Sequence, residues 1–322
     1  MHADFAHRRD ALLFAAREAV LSSDDVAADE DIQLTLFLLY ASAYGSLEWI
    51  DPGWEWHPVL IESRGILEAG FEASLRSSIA VPAVPRASGP EIAAALFELT
   101  APTSGPSLSR YLAKKATLEQ AREFLIHRSI YTLREADPHS WAIPRLTGRA
   151  KAALVEIQSD EYGGGRPERM HAEIFARTMR GAGLDAGYGA YLDVVPAVTL
   201  ASQNAMSMFG LNRRLLGAIV GHLAAFEMTS SLPNRSYGEA FRRLGFGSEV
   251  TDYFDEHVEA DAVHEQIAAH DLAGALGEDR PELLPDIMFG AAACLALDDR
   301  SADHLRAAFE AGTSSLRSTG RD

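Results

Sequence analysis

The sharpest chemical pattern in the sequence is His257-Val258-Glu259-Ala260-Asp261-Ala262-Val263-His264. Offsets of four and seven place His257, Asp261 and His264 on one face of a helix. Phe254 and Ala268 extend the same line, so the three polar residues occupy a stripe that a core-facing helix fills with Leu or Ile. Burying such groups unpaired costs several kcal/mol, and a metal ion would satisfy all three together. A wet face on an acidic helix, with Asp255, Glu256, Glu259 and Glu265 around it, remains open on the pattern alone.

Three further acids and one further His fit the same chemistry. Glu161 ends the apolar line Ala150, Leu154, Ile157, and Gly163-Gly164-Gly165 stops its helix. Pro167 starts the next helix, and His171 lies one turn in, so a carboxylate and an imidazole can converge across the break. A solvated Gly-rich joint is the plainer reading of this segment taken alone. A phosphate cradle is disfavoured, because no Lys-Ser/Thr pair follows the glycines. Glu227 sits on the line Leu216, Val220, Leu223, where an apolar residue is expected. Glu135 lies four after Tyr131 at a helix end, before Asp137-Pro138-His139. Pattern does not choose it over Glu123 or Asp137, and His139 is the closest rival among the histidines left outside the set, His127, His222 and His270 among them.

The elements that must position these residues are helices. Apolar periodicity predicts helices over about 4–21, 31–48, 58–78, 117–135, 144–161, 194–208, 211–230 and 250–270. A short one is expected near 91–99, another begins at Pro167, and a C-terminal pair is expected over about 281–297 and 301–311. Thr117 and Gln120 fit a capping box. The Pro-rich stretch Val81 to Pro106 is the best boundary, either between domains or as a crossover within one bundle. The reading divides the chain into 1–116, an N-terminal helical region packed on the bundle, and 117–322, the metal-binding bundle. Trp49, Trp54 and Trp56 cluster at the turn Asp51-Pro52-Gly53, and burial in the core is expected for them, with a lid or a dimer surface as the alternatives. The same is expected of Met206, Met208 and Phe209.

Composition narrows the function. Of 322 residues 47% are hydrophobic, enough for a sizeable core. Lys and Arg total 29 against 46 Asp and Glu, a net charge of −17, which argues against nucleic acid and against an anionic membrane surface. No apolar run approaches the ~20 residues of a membrane span. Cys294 is the only cysteine, so no intrachain disulfide, multi-Cys zinc site or Cys-held cluster can form. With no apolar segment at the start, a cytoplasmic protein is expected.

Together, Arg134 to His139, Asp160 to Gly165, His171 and the His257/Asp261/His264 face resemble the haem-oxygenase-like diiron oxidases and oxygenases, also described as iron-containing redox enzymes. The resemblance covers about 117–270, and order and spacing carry it. It implies an all-α, haem-oxygenase-like bundle, here with extra N-terminal helices. It implies a ligand set of Glu135, Glu161, His171, Glu227, His257, Asp261 and His264 holding two iron ions. That nitrogen and oxygen set also suits manganese or zinc. The long Glu161 to His171 spacing differs from the Glu-x-x-His of ferritin-like diiron proteins. The implied activity is O2-dependent oxidation of a small organic molecule: N-oxygenation, oxidative C–C cleavage or decarboxylation, with an amine or amino-acid-derived substrate mildly favoured by the acidic balance. An external electron donor and a homodimer are compatible with it. A non-catalytic helical protein that binds metal or a partner is the alternative, and a cofactor-free helical binder a third reading, because fold alone does not fix function.

Overall fold

The computed structural model describes residues 2–102 and 104–318, without the side chains of residues 2–8 and 259–262. Among them every regular element is helical, and the helices form the expected all-α bundle. In chain order the α-helices are α1 (His2–Ser22), α2 (Glu30–Tyr44), α3 (Pro58–Ser78), α4 (Gly89–Leu99), α5 (Leu108–Lys115), α6 (Leu118–Thr132) and the single turn α7 (Asp137–Ser140). They continue with α8 (Gly148–Glu161), α9 (His171–Gly181), α10 (Ala197–Leu211), α11 (Leu216–Arg243), α12 (Ser248–Gln266), α13 (Ala275–Asp279) and α14 (Leu284–Ala311). A π-helical stretch, Ile267–Gly274, joins α12 to α13.

The ends of these helices follow from local chemistry. The Thr117 side chain accepts the Gln120 N–H while Gln120 returns to the Thr117 N–H, so α6 starts at a capping box. Asp29 accepts from the Ile32 N–H to start α2. Glu278 accepts the Gly89 N–H at 2.7 Å and fixes the start of α4 from another element. Arg243, at the end of α11, donates to the carbonyls of Leu112, Ala113 and Ala116 and so closes the C-terminus of α5.

The central helix is α11, packed most extensively against α14 and α12. Its crossing with α14 is set by glycine. A Cβ on Gly221 would meet the Ile287 carbonyl oxygen at 1.9 Å, and one on Gly290 would meet that of Ala218 at 2.0 Å, so no larger residue fits at either point. By length and composition the stretch Arg213–Arg243 could cross a membrane, but most of its apolar window is buried inside the bundle. The largest core cluster joins Leu36, Phe71 and Ile92 from the N-terminal third to Leu154, Phe209, Leu223 and Phe289. Met206, Met208 and Phe209 are buried, as expected.

Three expectations are corrected. The anticipated C-terminal pair is one helix, α14. The polar run at 298–301 does not break it, because Asp298 accepts from Ser202 and Arg300 pairs with Asp25. The helix expected to end at Ser230 runs on to Arg243 through Pro233. Trp49, Trp54 and Trp56 are 70%, 45% and 76% exposed rather than core. They ride on the loop after α2, where Asp51 accepts the Gly53 N–H, and loops run over the surface.

Candidate metal centre

Five segments deliver the site. Glu135 stands in the turn between α6 and α7. Glu161 is the last residue of α8, and His171 the first of α9. Glu227 projects from the middle of α11, and His257 and His264 lie seven apart on α12. The break between Glu161 and His171 requires glycine: Gly163 has φ +70°, and a Cβ there would come within 2.7 Å of the Arg169 and Met170 backbone. That tight return brings the two helix ends together, with His171 Nδ1 2.8 Å from Glu161 Oε2.

All six side chains are buried, none more than 7% exposed. Their ligand atoms form two groups, each within a span of 4.8 Å. Glu135, Glu161, His171 and His257 make the first; Glu161, Glu227 and His264 make the second. Glu161 belongs to both. Asp261 shares the α12 backbone with His257 and His264, but its side chain lies outside the described residues. Glu123 and Asp137, the rivals of Glu135, have other partners: Glu123 accepts from Ser315, and Asp137 accepts from the Tyr162 hydroxyl.

The donor atoms face one another in a way that suits a cation. His171 Nδ1 and His264 Nδ1 are buried and make no aligned hydrogen bond, although each has a carboxylate oxygen close by. For His264 these are Glu227 Oε2 at 3.3 Å and Glu161 Oε1 at 3.6 Å. Imidazole and carboxylate lone pairs that face each other at these distances need a proton or a metal cation between them. The tautomers fit as well. His257 Nδ1 donates to the Tyr253 carbonyl at 2.8 Å, which leaves Nε2 toward Glu135 at 3.5 Å. His264 Nε2 lies 3.2 Å from Asp160 Oδ2, which leaves Nδ1 toward the acids. Metal-binding histidines are oriented in this way, with one ring nitrogen held by an oxygen.

The charge balance tells the same story. Burial first, then Glu227 and Glu135, push the Glu161 carboxyl well above the usual range. Burial opposes a charge on Glu135 too, but His257 and His171 beside it hold that carboxyl below its usual value. Against burial, Glu227 and Glu161 raise His264 to about 9. In the absence of a cation, protons must neutralise this crowd of buried acids; bound cations replace those protons.

The site also recruits residues that the sequence patterns did not single out. The Tyr253 hydroxyl is 2.9 Å from both Glu135 oxygens, and Asp160 holds His264. A signal existed for each: Tyr253 is one helical turn before His257, and Asp160 adjoins Glu161. Beside the acids lies a cavity lined by Tyr131, Gln158, His139, Phe226 and others. His139, left outside the ligand set, pairs there with His222, Nε2 to Nδ1 3.2 Å. Burial keeps both imidazoles neutral, pushing His139 down to about 3 and His222 well below its ordinary value.

The profile of the iron-containing redox enzyme family matches residues 122–299, more than half of the chain. The chain belongs to this family. The matched span contains both groups of ligand atoms and the α12 face. No curated protein was found to match the chain.

The family and the buried Glu/His cluster together make this an iron-linked redox protein with a site fit for metal. One expected result tests the support given by Asp160. Asp160→Ala removes the oxygen that holds His264 Nε2, so metal affinity should fall by about 10- to 100-fold with little change in metal-free stability, since Asp160 is 63% exposed. Competition with a chelator of known affinity measures it; an unchanged affinity removes Asp160 from the site.

Proposed function

We propose that this protein is a non-haem diiron oxidoreductase that uses O2 to oxidise a small organic substrate. Its two iron ions would be held by Glu135, Glu161, His171, Glu227, His257, Asp261 and His264. The observation that carries this reading is the sharing of Glu161 between two buried groups of ligand atoms. One group alone would suit a single ion; two groups joined through a carboxylate suit a pair. Bound ferrous iron supplies the electrons that O2 accepts and the centre where substrate is oxidised.

The chain's own residues set the conditions. Glu161, Glu135 and Glu227 supply the negative charge that two dications need. Tyr253 donates to Glu135 and fixes its rotamer, while Asp160 and the Tyr253 carbonyl fix the histidine tautomers. Leu223 and Phe226 line the cavity next to the acids and limit water there. The acid-rich wall favours an amine or amino-acid-derived substrate over an anion. On this reading the protein works in the cytoplasm on a small molecule and O2, with electrons from a separate donor where the reaction needs them, and without nucleic acid or membrane.

The test is anaerobic loading with Fe(II), elemental analysis, and then O2 uptake. Two irons per chain and consumption of O2 are expected. A single tightly held zinc with no O2 uptake overturns the reading in favour of a non-catalytic metal protein.

A further inference from the structure

The cavity beside the metal-binding acids has a second wall that the ligand set does not explain. Tyr131, Ala136, His139, Gln158, Leu223 and Phe226 form it. Two polar atoms on it have no partner: Oε1 of Gln158 and Nδ1 of His139. Their side chains are 3% and 1% exposed. Buried polar atoms are nearly always paired, and the exceptions need a reason.

Local structure holds both in place. Ala136 adopts φ +73°, the one left-handed residue other than glycine among those described. Strain of that kind gathers at functional sites. The turn it makes presents His139 on α7. Its carbonyl accepts from Gln158 Nε2 at 2.8 Å, and Ser140 Oγ lies 2.7 Å from the same nitrogen. A carbonyl can only accept, so the amide nitrogen is committed there and Oε1 is the free, accepting end. His139 Nε2 and His222 Nδ1 lie 3.2 Å apart and share one hydrogen; with that hydrogen on His139, its own Nδ1 is an acceptor.

We propose that His139 carries the hydrogen it shares with His222, and that Gln158 Oε1 and His139 Nδ1 then anchor the N–H groups of a small amine and set which end of it faces Glu135, Glu161 and Glu227. The inference rests on the oxidase reading only in taking this cavity as the substrate's. Two acceptors beside a wall of carboxylates repel an anion. An alcohol brings one O–H and pairs one acceptor; a primary amine or ammonium brings enough N–H groups for both.

The full chain loaded with redox-inert Zn(II) is titrated with methylamine, methanol and formate, with binding read by ligand-observed NMR. Methylamine should bind at least about tenfold more tightly than the other two, as expected when buried acceptors are left unpaired by the wrong ligand. Gln158→Leu should abolish that preference at unchanged zinc content, and Gln158→Glu, which keeps an acceptor, should retain it. His139→Leu should weaken methylamine binding, again at unchanged zinc content, and decides the matter if Gln158→Leu melts at room temperature. Equal binding of the three probes, as for a cavity that holds only water, overturns the proposal. So does a preference that survives Gln158→Leu, or a loss of zinc in His139→Leu, which would make His139 a ligand. O2 uptake by the Fe(II) protein is a separate readout. Uptake without amine preference sinks the anchor alone; amine preference without uptake upholds the anchor and sinks the oxidase reading.

Discussion

Glu161→Ala should strip the protein of both ions. Anaerobically loaded protein is expected to fall from two irons per chain to fewer than one, and O2 uptake to drop by at least about a hundredfold, more than loss of a supporting residue brings. The reason is topological: Glu161 is the one residue present in both groups of ligand atoms. Glu227→Ala is the matched control. It removes an acid from the second group alone, so one iron should remain on Glu135, Glu161, His171 and His257. Neither change should unfold the metal-free chain, because each removes a buried acid whose charge is costly there. Elemental analysis of the two variants side by side decides it. Two irons retained in Glu161→Ala would mean that the groups do not share a ligand.

Metal-dependent stability should grow with pH. The pKa of His264 is raised to about 9 from the ordinary 6.5. Its favourable charge on the metal-free fold is therefore fully present below about 6.5 and is lost as pH rises through about 9. Metal binding needs the opposite state, a neutral Nδ1, and also needs the proton off Glu161, whose pKa is raised as well. Protons thus stabilise the empty site and compete with the metal. Binding to the native state alone adds about 2.7 kcal/mol at a hundredfold excess over the dissociation constant. The gap in melting temperature between anaerobic Fe(II)-loaded and metal-free protein should widen from about pH 6 to about pH 8, as a falling proton concentration tightens binding. A gap that stays constant or narrows would show that the cluster does not hold those protons.

Some of this was legible in the residues alone. The offset of seven between His257 and His264 fixes a common helix face, and the structure buries both on the same side of α12. The glycines after Glu161 end its helix whatever surrounds them, because three successive residues at positive φ cannot continue an α-helix. Glu227 stood out because an acid interrupts an apolar line, and that line is indeed the buried face of α11. The all-α class followed from the same periodicity. These features are local: each depends on the rise and turn of one helix.

The rest depended on contacts between distant segments. Glu123, Glu135 and Asp137 are alike on paper, and only Glu135 meets the cluster, because Tyr253 on α12 reaches across to it while Ser315 and Tyr162 occupy the other two. The average burial of Trp also misjudged the loop tryptophans, since a hydrophobic side chain is buried only if another element covers it, and nothing in the loop's own sequence says whether one does. The polar run at 298–301 reads as a helix end until Ser202 and Asp25 arrive to pair it. A helix face can be read from spacing because it is set by dihedral angles a few residues apart. Which faces meet is set by packing among residues tens to hundreds of positions apart, and only the folded chain decides that.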